Sequence, residues 1–301
     1  SPATLEALGP DFEVRNCNGA DRAELLAALG KGVDAVLIRS ATKMDAEAIA
    51  AAKGLKVIAR AGVGLDNVDI PAATAAKVLV INAPTSNIVS AAELAIALMM
   101  ASARNISTAH ASLRAGKWSR SKFSGTEMFE KTLGIVGIGR IGQATAKMAL
   151  GLGMKVIAAD MFIPQVDVKV EFFDGQSITT TIVSQSLESL FEEADFITLH
   201  VPAQDGYIID EAALAIMKDG VGIVNCARGG VIDEVALIKA LDSGKVSFAG
   251  LDVFENEPTP HPDILTHPRV SFTPHIGAST NEAQERVGVE LANLIIHFFR
   301  K

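Results

Sequence analysis

Six residues, Gly137-Ile138-Gly139-Arg140-Ile141-Gly142, follow directly on the apolar run Thr132 to Val136 and open a helix-like stretch from Ile141 to Leu152. Strand, glycine turn and helix in that order form an anion site. The first glycine allows the tight turn, the second lets backbone approach a pyrophosphate, and the third lets helix and strand pack closely. The helix N-terminus adds unpaired N–H groups and a positive dipole. The next strand, Lys155 to Ala159, ends at Asp160, 23 positions beyond Gly137, where a carboxylate is placed for the hydroxyls of an adenosine ribose. Met161 and Phe162 follow it. A 2′-phosphate would need a cation there, so the pattern predicts NAD in preference to NADP. Glycine turns alone occur without ligands; the spacing to Asp160 makes this one specific.

Three further loops carry ionisable groups: Asn225-Cys226-Ala227-Arg228-Gly229-Gly230, Asp252-Val253-Phe254-Glu255-Asn256-Glu257-Pro258, and Thr273-Pro274-His275-Ile276-Gly277-Ala278-Ser279-Thr280. Each follows a predicted strand, and the carboxyl ends of strands are where open α/β sheets hold ligands. Arginine offers a planar donor fork for a carboxylate, and histidine exchanges protons near neutral pH. Histidine by itself singles out nothing, since His200, His261, His267 and His297 also lie near strand ends, prolines or a chain end. The small residues around Arg228 suggest close approach of a ligand.

The elements that must position these loops alternate along the chain. Short runs at Phe12 to Arg15, Ala35 to Arg39, Lys56 to Arg60 and Val78 to Ile81 alternate with helical stretches such as Asp21 to Leu29 and Asp45 to Ala52. That alternation predicts parallel sheet covered by helices. After the turn-rich segment Asn82 to Asn87 come a long helix, Ser90 to Asn105, and a second series with strands at Lys131, Lys155 to Asp160, Phe196 to His200, Gly222 to Asn225, Ser247 to Leu251 and Val270 to Thr273. A last helix, Glu282 to Phe299, is long enough to return to the first series. The expected fold class is α/β, with two Rossmann-like, doubly wound parallel-sheet domains. Residues 88–283 would form the nucleotide-binding domain, inserted in a discontinuous, flavodoxin-like substrate domain of residues 1–87 and 284–301. The chain opens at Ser1-Pro2 without a methionine, and a strand is expected ahead of it.

With the three loops, Arg39-Ser40-Ala41-Thr42, Arg60-Ala61-Gly62-Val63-Gly64-Leu65-Asp66-Asn67-Val68-Asp69 and Phe123-Ser124-Gly125-Thr126-Glu127, the sequence resembles the D-2-hydroxyacid dehydrogenase family across essentially its whole length, most closely the branch that oxidises 3-phosphoglycerate on the way to serine. The resemblance implies NAD-linked oxidation of a small hydroxy acid. His275 would be the acid–base group, Glu257 the acid that orients it, and Arg228 the group that grips the substrate carboxylate and reacting oxygen. Glu257 is preferred over Glu255 because the family acid directly precedes the proline. Implied cofactor contacts are Gly137, Gly139, Arg140, Ile141, Gly142, Asp160, Val201, Cys226, Ala227, Arg228, Asp252 at the carboxamide, His275, Gly277 and Ala278. Implied substrate contacts are Arg39, Arg60 and Gly62, with Arg120 reaching in from a neighbouring subunit, besides Arg228 and His275. Val201 to Tyr207 is shorter than the usual family loop. Alternatives within the resemblance are another 2-hydroxy acid, such as 2-hydroxyglutarate or glycerate, and a dinucleotide-sensing corepressor of the same fold.

Composition narrows the remaining classes. At 301 residues the chain exceeds one comfortable core, so two domains are expected. A net charge of −8 argues against nucleic acid or anionic membrane as a general partner. Cys17 and Cys226 are too few for a disulfide framework, which suggests a reducing compartment such as the cytosol. No metal-ligand pattern stands out, and no apolar run reaches the ~18 residues of a membrane span. Self-association as a dimer or tetramer through the helix around Ser90 to Asn105 is the expectation that accompanies the resemblance.

Overall fold

A computed structural model describes residues 1–300. They fall into two compact units, Ser1–Ile88 with the segment from Ala278 onward, and Val89–Gly277.

In the first unit, helices α1 (Pro2–Leu8), α2 (Arg22–Gly30), α3 (Ala46–Ala51) and α4 (Ile70–Ala75) alternate with strands β1 (Ala35–Ile38), β2 (Val57–Arg60) and β3 (Leu79–Asn82). The strands form one parallel sheet in the order β1-β2-β3. Both of its faces are covered, so Val57, Ile58 and Ala59 of the central strand are all fully buried. Ile58 packs with Leu25, Leu29, Ile49 and Ala73, whereas Val57 and Ala59 pack with Leu8 and with Leu291 and Ile295 of the C-terminal helix (Asn281–Phe299). Asp21, Asp45, Asp69 and Thr280 cap the helices that follow them, each accepting first-turn N–H groups. The expected strand at Phe12 to Arg15 does not form. Phe12 instead sets its ring edge-on to Phe299, at 6.2 Å, and Glu13 pairs with Arg15 at 2.9 Å.

The second unit opens with α5 (Ile88–Ala103) and α6 (Ile106–Arg114). It continues through β4 (Thr132–Val136), α7 (Arg140–Gly151), β5 (Lys155–Ala159), β6 (Gln165–Glu171), β7 (Ser177–Val183), α8 (Leu187–Glu193), β8 (Phe196–Leu199), α9 (Glu211–Ile216), β9 (Val221–Asn225), α10 (Glu234–Ser243), β10 (Val246–Leu251), α11 (Pro262–Thr266) and β11 (Val270–Phe272). Six strands make a parallel sheet in the order β11-β10-β9-β8-β4-β5. The chain winds outward in one direction from β4 to β5 and in the other from β8 to β11. The switch point therefore lies between β4 and β8, where a doubly wound sheet opens a crevice at its carboxyl ends. Alternation divides the core: Val136, Ile197, Leu199 and Ile223 face one side, and Leu133, Ile135, Phe196 and Val224 face the other.

The hairpin β6–β7 was not anticipated from the sequence. Its seven-residue antiparallel register turns at Asp174-Gly175, where Gly175 has φ +87°, and Val168 and Ile182 anchor it to the core. Among the described residues, no single helix is long and apolar enough to cross a membrane; α5 and α6 reach that length and apolarity only as a pair bent by 62°.

Candidate active site

The glycine turn joins β4 to α7 at the switch point, and the three glycines meet different surroundings. A Cβ on Gly137, whose φ is +90°, would stand 2.5 Å from the His200 carbonyl oxygen, and one on Gly142 would stand 2.2 Å from the Gly137 carbonyl oxygen. Those two are required by the fold. A Cβ on Gly139 would meet nothing within 4 Å, so this position is open on the side from which a pyrophosphate would approach. Gly139 is also the N-cap of α7 and brings no side chain to cap it, which leaves first-turn N–H groups for an anion. Arg140 and Ile141 begin the helix, with Arg140 exposed. These features fit a bound dinucleotide.

Asp160 ends β5 as expected, and its carboxylate is already at work. Oδ2 accepts the Ile138 N–H at 2.9 Å, while Oδ1 accepts those of Phe162 and Ile163 at 2.8 and 3.0 Å. Of the roughly four lone-pair sites of a carboxylate, at least one stays available to a ribose hydroxyl, and the bond to Ile138 closes the glycine turn. Met161 and Phe162 are 83% and 86% exposed and bring no cation. Val201 packs against the turn: a Gly137 Cβ would stand 3.0 Å from its side chain. His200 donates its backbone N–H to Val136 at 2.8 Å, and its Nε2 lies 3.1 Å from Thr198 Oγ1. Dense packing around the ring holds the His200 imidazole neutral, its pKa lowered to about 4.

The loops that follow β9, β10 and β11 carry Arg228, Glu257 and His275, and the last two meet. His275 Nδ1 lies 2.8 Å from Glu257 Oε2. A carboxylate only accepts, so Nδ1–H donates and Nε2 is the nitrogen left for a substrate. Phe254 N–H donates to Glu257 Oε1 at 3.1 Å, leaving Oε2 for the imidazole. His275 itself sits at φ +53°, an uncommon backbone region for a side chain of this size. It is held there by N–H bonds to the Asp252 and Thr273 carbonyls at 2.8 and 3.1 Å.

Asp252 is the organising acid of that loop. It is 1% exposed; Oδ1 accepts from Thr273 Oγ1 at 2.6 Å and Ile276 N at 2.8 Å, and Oδ2 from Gly277 N at 2.8 Å. Burial pushes its carboxyl pKa up, while those hydrogen bonds pull it down. These bonds tie the Asp252 carboxylate to the loop around His275, through the Thr273 hydroxyl and the Ile276 and Gly277 N–H groups. Asn225 plays a similar part, which sequence reasoning missed. Its side chain, on a residue only 3% exposed, donates to the Arg228 carbonyl at 2.8 Å and accepts the Ala227 N–H at 3.0 Å. Arg228 Nη1 donates to the Ala227 carbonyl at 2.6 Å. A Cβ on Gly229 would stand 1.8 Å from the Phe254 carbonyl oxygen, so the small residue serves loop-on-loop packing. Cys226 is half-buried, and burial, with Asp252 beside it, pushes its thiol pKa up, which favours the neutral thiol.

In the first unit, Arg39 directly follows β1 and Arg60 ends β2, and the parallel register pairs Arg60 with Ile38, the residue before Arg39. Arg39 is exposed. Arg60 folds over its own loop: Nη1 donates to the Ala61 carbonyl at 3.1 Å and Nε to Asn67 Oδ1 at 3.4 Å. Gly62, at φ +140°, passes so close that a Cβ would meet Arg60 Nη1 at 1.7 Å. Arg120 lies exposed in a short 3-10 turn, Arg120–Lys122, and Ala278 is exposed just beyond Gly277. No cluster of His, Cys, Asp and Glu among the described residues would hold a metal.

The family model for the D-isomer specific 2-hydroxyacid dehydrogenase NAD-binding domain matches residues 96–277. The chain is 51% identical over 295 residues to a D-3-phosphoglycerate dehydrogenase of Mycobacterium leprae, covering 97% of this chain and 54% of that protein. It is 50% identical over 269 residues to a hydroxypyruvate reductase of Thermotoga maritima, covering 87% and 84%. Among solved structures, the D-lactate dehydrogenase of Aquifex aeolicus complexed with NAD and lactic acid superposes with a TM-score of 0.78 at 28% identity, over 99% of this chain and 92% of that one. The chain belongs to the D-isomer specific 2-hydroxyacid dehydrogenases. It spans about half the length of the phosphoglycerate dehydrogenases it matches.

Proposed function

We propose that this chain is the catalytic body of an NAD-dependent dehydrogenase that interconverts 3-phospho-D-glycerate and 3-phosphohydroxypyruvate, the entry to phosphorylated serine synthesis. The observation that carries the chemistry is the His275 Nδ1–Glu257 Oε2 contact of 2.8 Å, in the same sheet rim as a glycine turn that fits a dinucleotide. The substrate choice rests on the 51% identity to the mycobacterial phosphoglycerate dehydrogenase.

When bound, NAD supplies the hydride acceptor for oxidation and, reduced, the donor for the reverse. In oxidation, His275 Nε2 takes the proton of the C2 hydroxyl as the C2 hydrogen departs with its electron pair, and Glu257 stabilises the imidazolium that forms. In reduction, the same nitrogen returns the proton. Arg228 binds the substrate carboxylate and the oxygen on C2, where negative charge develops. The other cofactor contacts are Gly137, Gly139, Arg140, Ile141, Gly142, Asp160, Val201, Cys226, Ala227, Asp252, Gly277 and Ala278. The substrate phosphate is assigned to Arg39 and Arg60, with Gly62 and Arg120 contributing. Residues 88–283 are the NAD-binding domain in this reading, and the remainder binds substrate. Met100, Ile106, Leu113 and Trp118, 39% to 83% exposed, form the surface assigned to self-association in a homodimer or tetramer, in a cytosolic setting that keeps both cysteines reduced.

A second reading, reduction of unphosphorylated hydroxypyruvate, is favoured by the Thermotoga relative, 84% of whose length is matched. Turnover of NAD with 3-phosphoglycerate and with glycerate, product trapped by hydrazine, separates the two. The first reading predicts preference for the phosphorylated acid and a raised KM for it in Arg39→Ala; preference for glycerate with no effect of Arg39→Ala would select the second.

A further inference from the structure

We propose that Glu234, at the start of α10, is a positioning residue that sets the His275–Glu257 pair through the backbone of Phe254 and Glu255. The inference rests on the reading of that pair as the proton-transfer couple. Glu234 is 6% exposed and lies outside the three loops already assigned. Its Oε1 accepts the Glu255 N–H at 2.9 Å, and Glu255 Oε1 accepts the Glu234 N–H at 3.1 Å. Each carboxylate thus clasps the other residue's backbone. One residue upstream, Phe254 N–H holds Glu257 Oε1 and leaves Oε2 for His275. Two consecutive N–H groups, at Phe254 and Glu255, are therefore fixed by two glutamates. Loss of the Glu234 anchor releases the peptide that adjoins the one orienting Glu257.

Helix capping does not account for this acid. Asp233 already caps α10, accepting the Ala236 N–H at 2.9 Å. Enclosure also works against an ionised carboxyl at Glu234: burial, followed by the neighbouring charges of Glu255 and Glu257, pushes its pKa up, against the Glu255 N–H bond and the pull of His261. Only acceptors aimed at a specific backbone N–H offset such a placement. Gly229 closes the other side of the same peptide, its missing Cβ leaving room for the Phe254 carbonyl. The Arg228 loop, the N-terminus of α10 and the Glu257 loop are thus locked at one point.

The test compares kcat and KM for Glu234→Ala, Glu234→Gln, Glu257→Gln and the double variant Glu234→Ala/Glu257→Gln, using NADH and hydroxypyruvate or its phosphate, whichever turns over. Glu234→Ala should lower kcat by about tenfold or more with KM for NADH nearly constant, since a misplaced catalytic group costs rate before it costs binding. Glu234→Gln keeps an oxygen in the accepting position and should restore most of kcat. In the Glu257→Gln background, Glu234→Ala should add less than about a twofold loss, because it acts through that residue. An unchanged kcat in Glu234→Ala, or a full further loss in the double variant, overturns the proposal. If Glu234→Ala does not fold, Glu234→Asp, which keeps charge and withdraws reach, must show the same kcat loss or the proposal fails. A Glu257→Gln enzyme with full kcat is a separate failure, of the pair itself.

Discussion

Replacing Gly229 by alanine tests whether the Arg228 and Glu257 loops depend on each other. The added Cβ would lie 1.8 Å from the Phe254 carbonyl oxygen and 2.3 Å from its carbon. Ordinary carbon–oxygen contacts begin near ~3.3 Å, so the two loops must separate by about 1.5 Å. Both atoms are backbone, and the loops are pinned from behind, by Asn225 to Arg228 and by Glu234 to Glu255, so no flexible side chain absorbs the clash. Overpacking of this kind costs about 1–3 kcal/mol, which for a unit of this size lowers Tm by roughly 2–12 °C. The effect on catalysis should be larger, since a displacement of about 1 Å between reacting groups costs on the order of a hundredfold in rate. Steady-state kcat and a thermal melt on the same preparation give both numbers. Gly230→Ala is the comparison: its Cβ meets nothing within 4 Å although its φ is +78°, so it should lose stability of about 1–2 kcal/mol and far less kcat. A Gly229→Ala protein with kcat within twofold of the parent and an unchanged Tm would refute the idea that these loops form one unit.

Gly139→Ala should leave the Tm of the cofactor-free protein within a few degrees, because its Cβ faces open space, yet weaken NADH binding by about tenfold or more by blocking the pyrophosphate; calorimetric titration checks it. Gly142→Ala should instead lose stability without any ligand, its Cβ meeting the Gly137 carbonyl at 2.2 Å. His200 should make stability pH-dependent. Its folded pKa lies near 4, against 6.5 ordinarily, so the unfolded chain binds the extra proton between those values. Its contribution is complete above pH 6.5 and is lost as pH falls toward 4, about 3 kcal/mol in all, and denaturant titrations of His200→Gln should lack that slope. Asp252→Asn should free the His275 loop: Ile276 N–H and Gly277 N–H bond to different carboxylate oxygens, an amide keeps only one of them as an acceptor, and a stranded buried donor costs about 1–3 kcal/mol, seen as faster amide exchange at residues 275–277 and a lower kcat.

Periodicity and turn chemistry revealed much of this fold because parallel strands buried on both faces read as short apolar runs between capped helices. All six strands of the larger sheet and the glycine turn at its switch point were visible in that way. The run at Phe12 to Arg15 has the composition of a strand, yet Phe12 finds a ring on the C-terminal helix, a partner almost the whole chain away. The β6–β7 hairpin carried its signal in the alternation of Val166, Val168 and Val170 and in Asp174-Gly175, but it occupies a stretch where a strand–helix rhythm was expected. At the site, residue types alone singled out no histidine or glutamate, and Arg228, Glu257 and His275 were named through the motifs that carry the family resemblance. The groups that hold them, Asn225, Glu234, Gly229 and the carboxylate of Asp252, act through backbone contacts between loops distant in sequence, and no local pattern encodes such contacts.

The central claim is that hydride moves between NAD and C2 of a hydroxy acid while His275 carries the proton. Incubating the protein with NADH deuterated at C4 of the nicotinamide and with 3-phosphohydroxypyruvate, hydroxypyruvate or glyoxylate, then locating the label by mass spectrometry, tests it directly. The account predicts deuterium on C2 of the D-hydroxy acid, with formation falling by at least ~10² in His275→Ala while NADH binding persists. Absence of label at C2 with every keto acid, or undiminished transfer in His275→Ala, would contradict it.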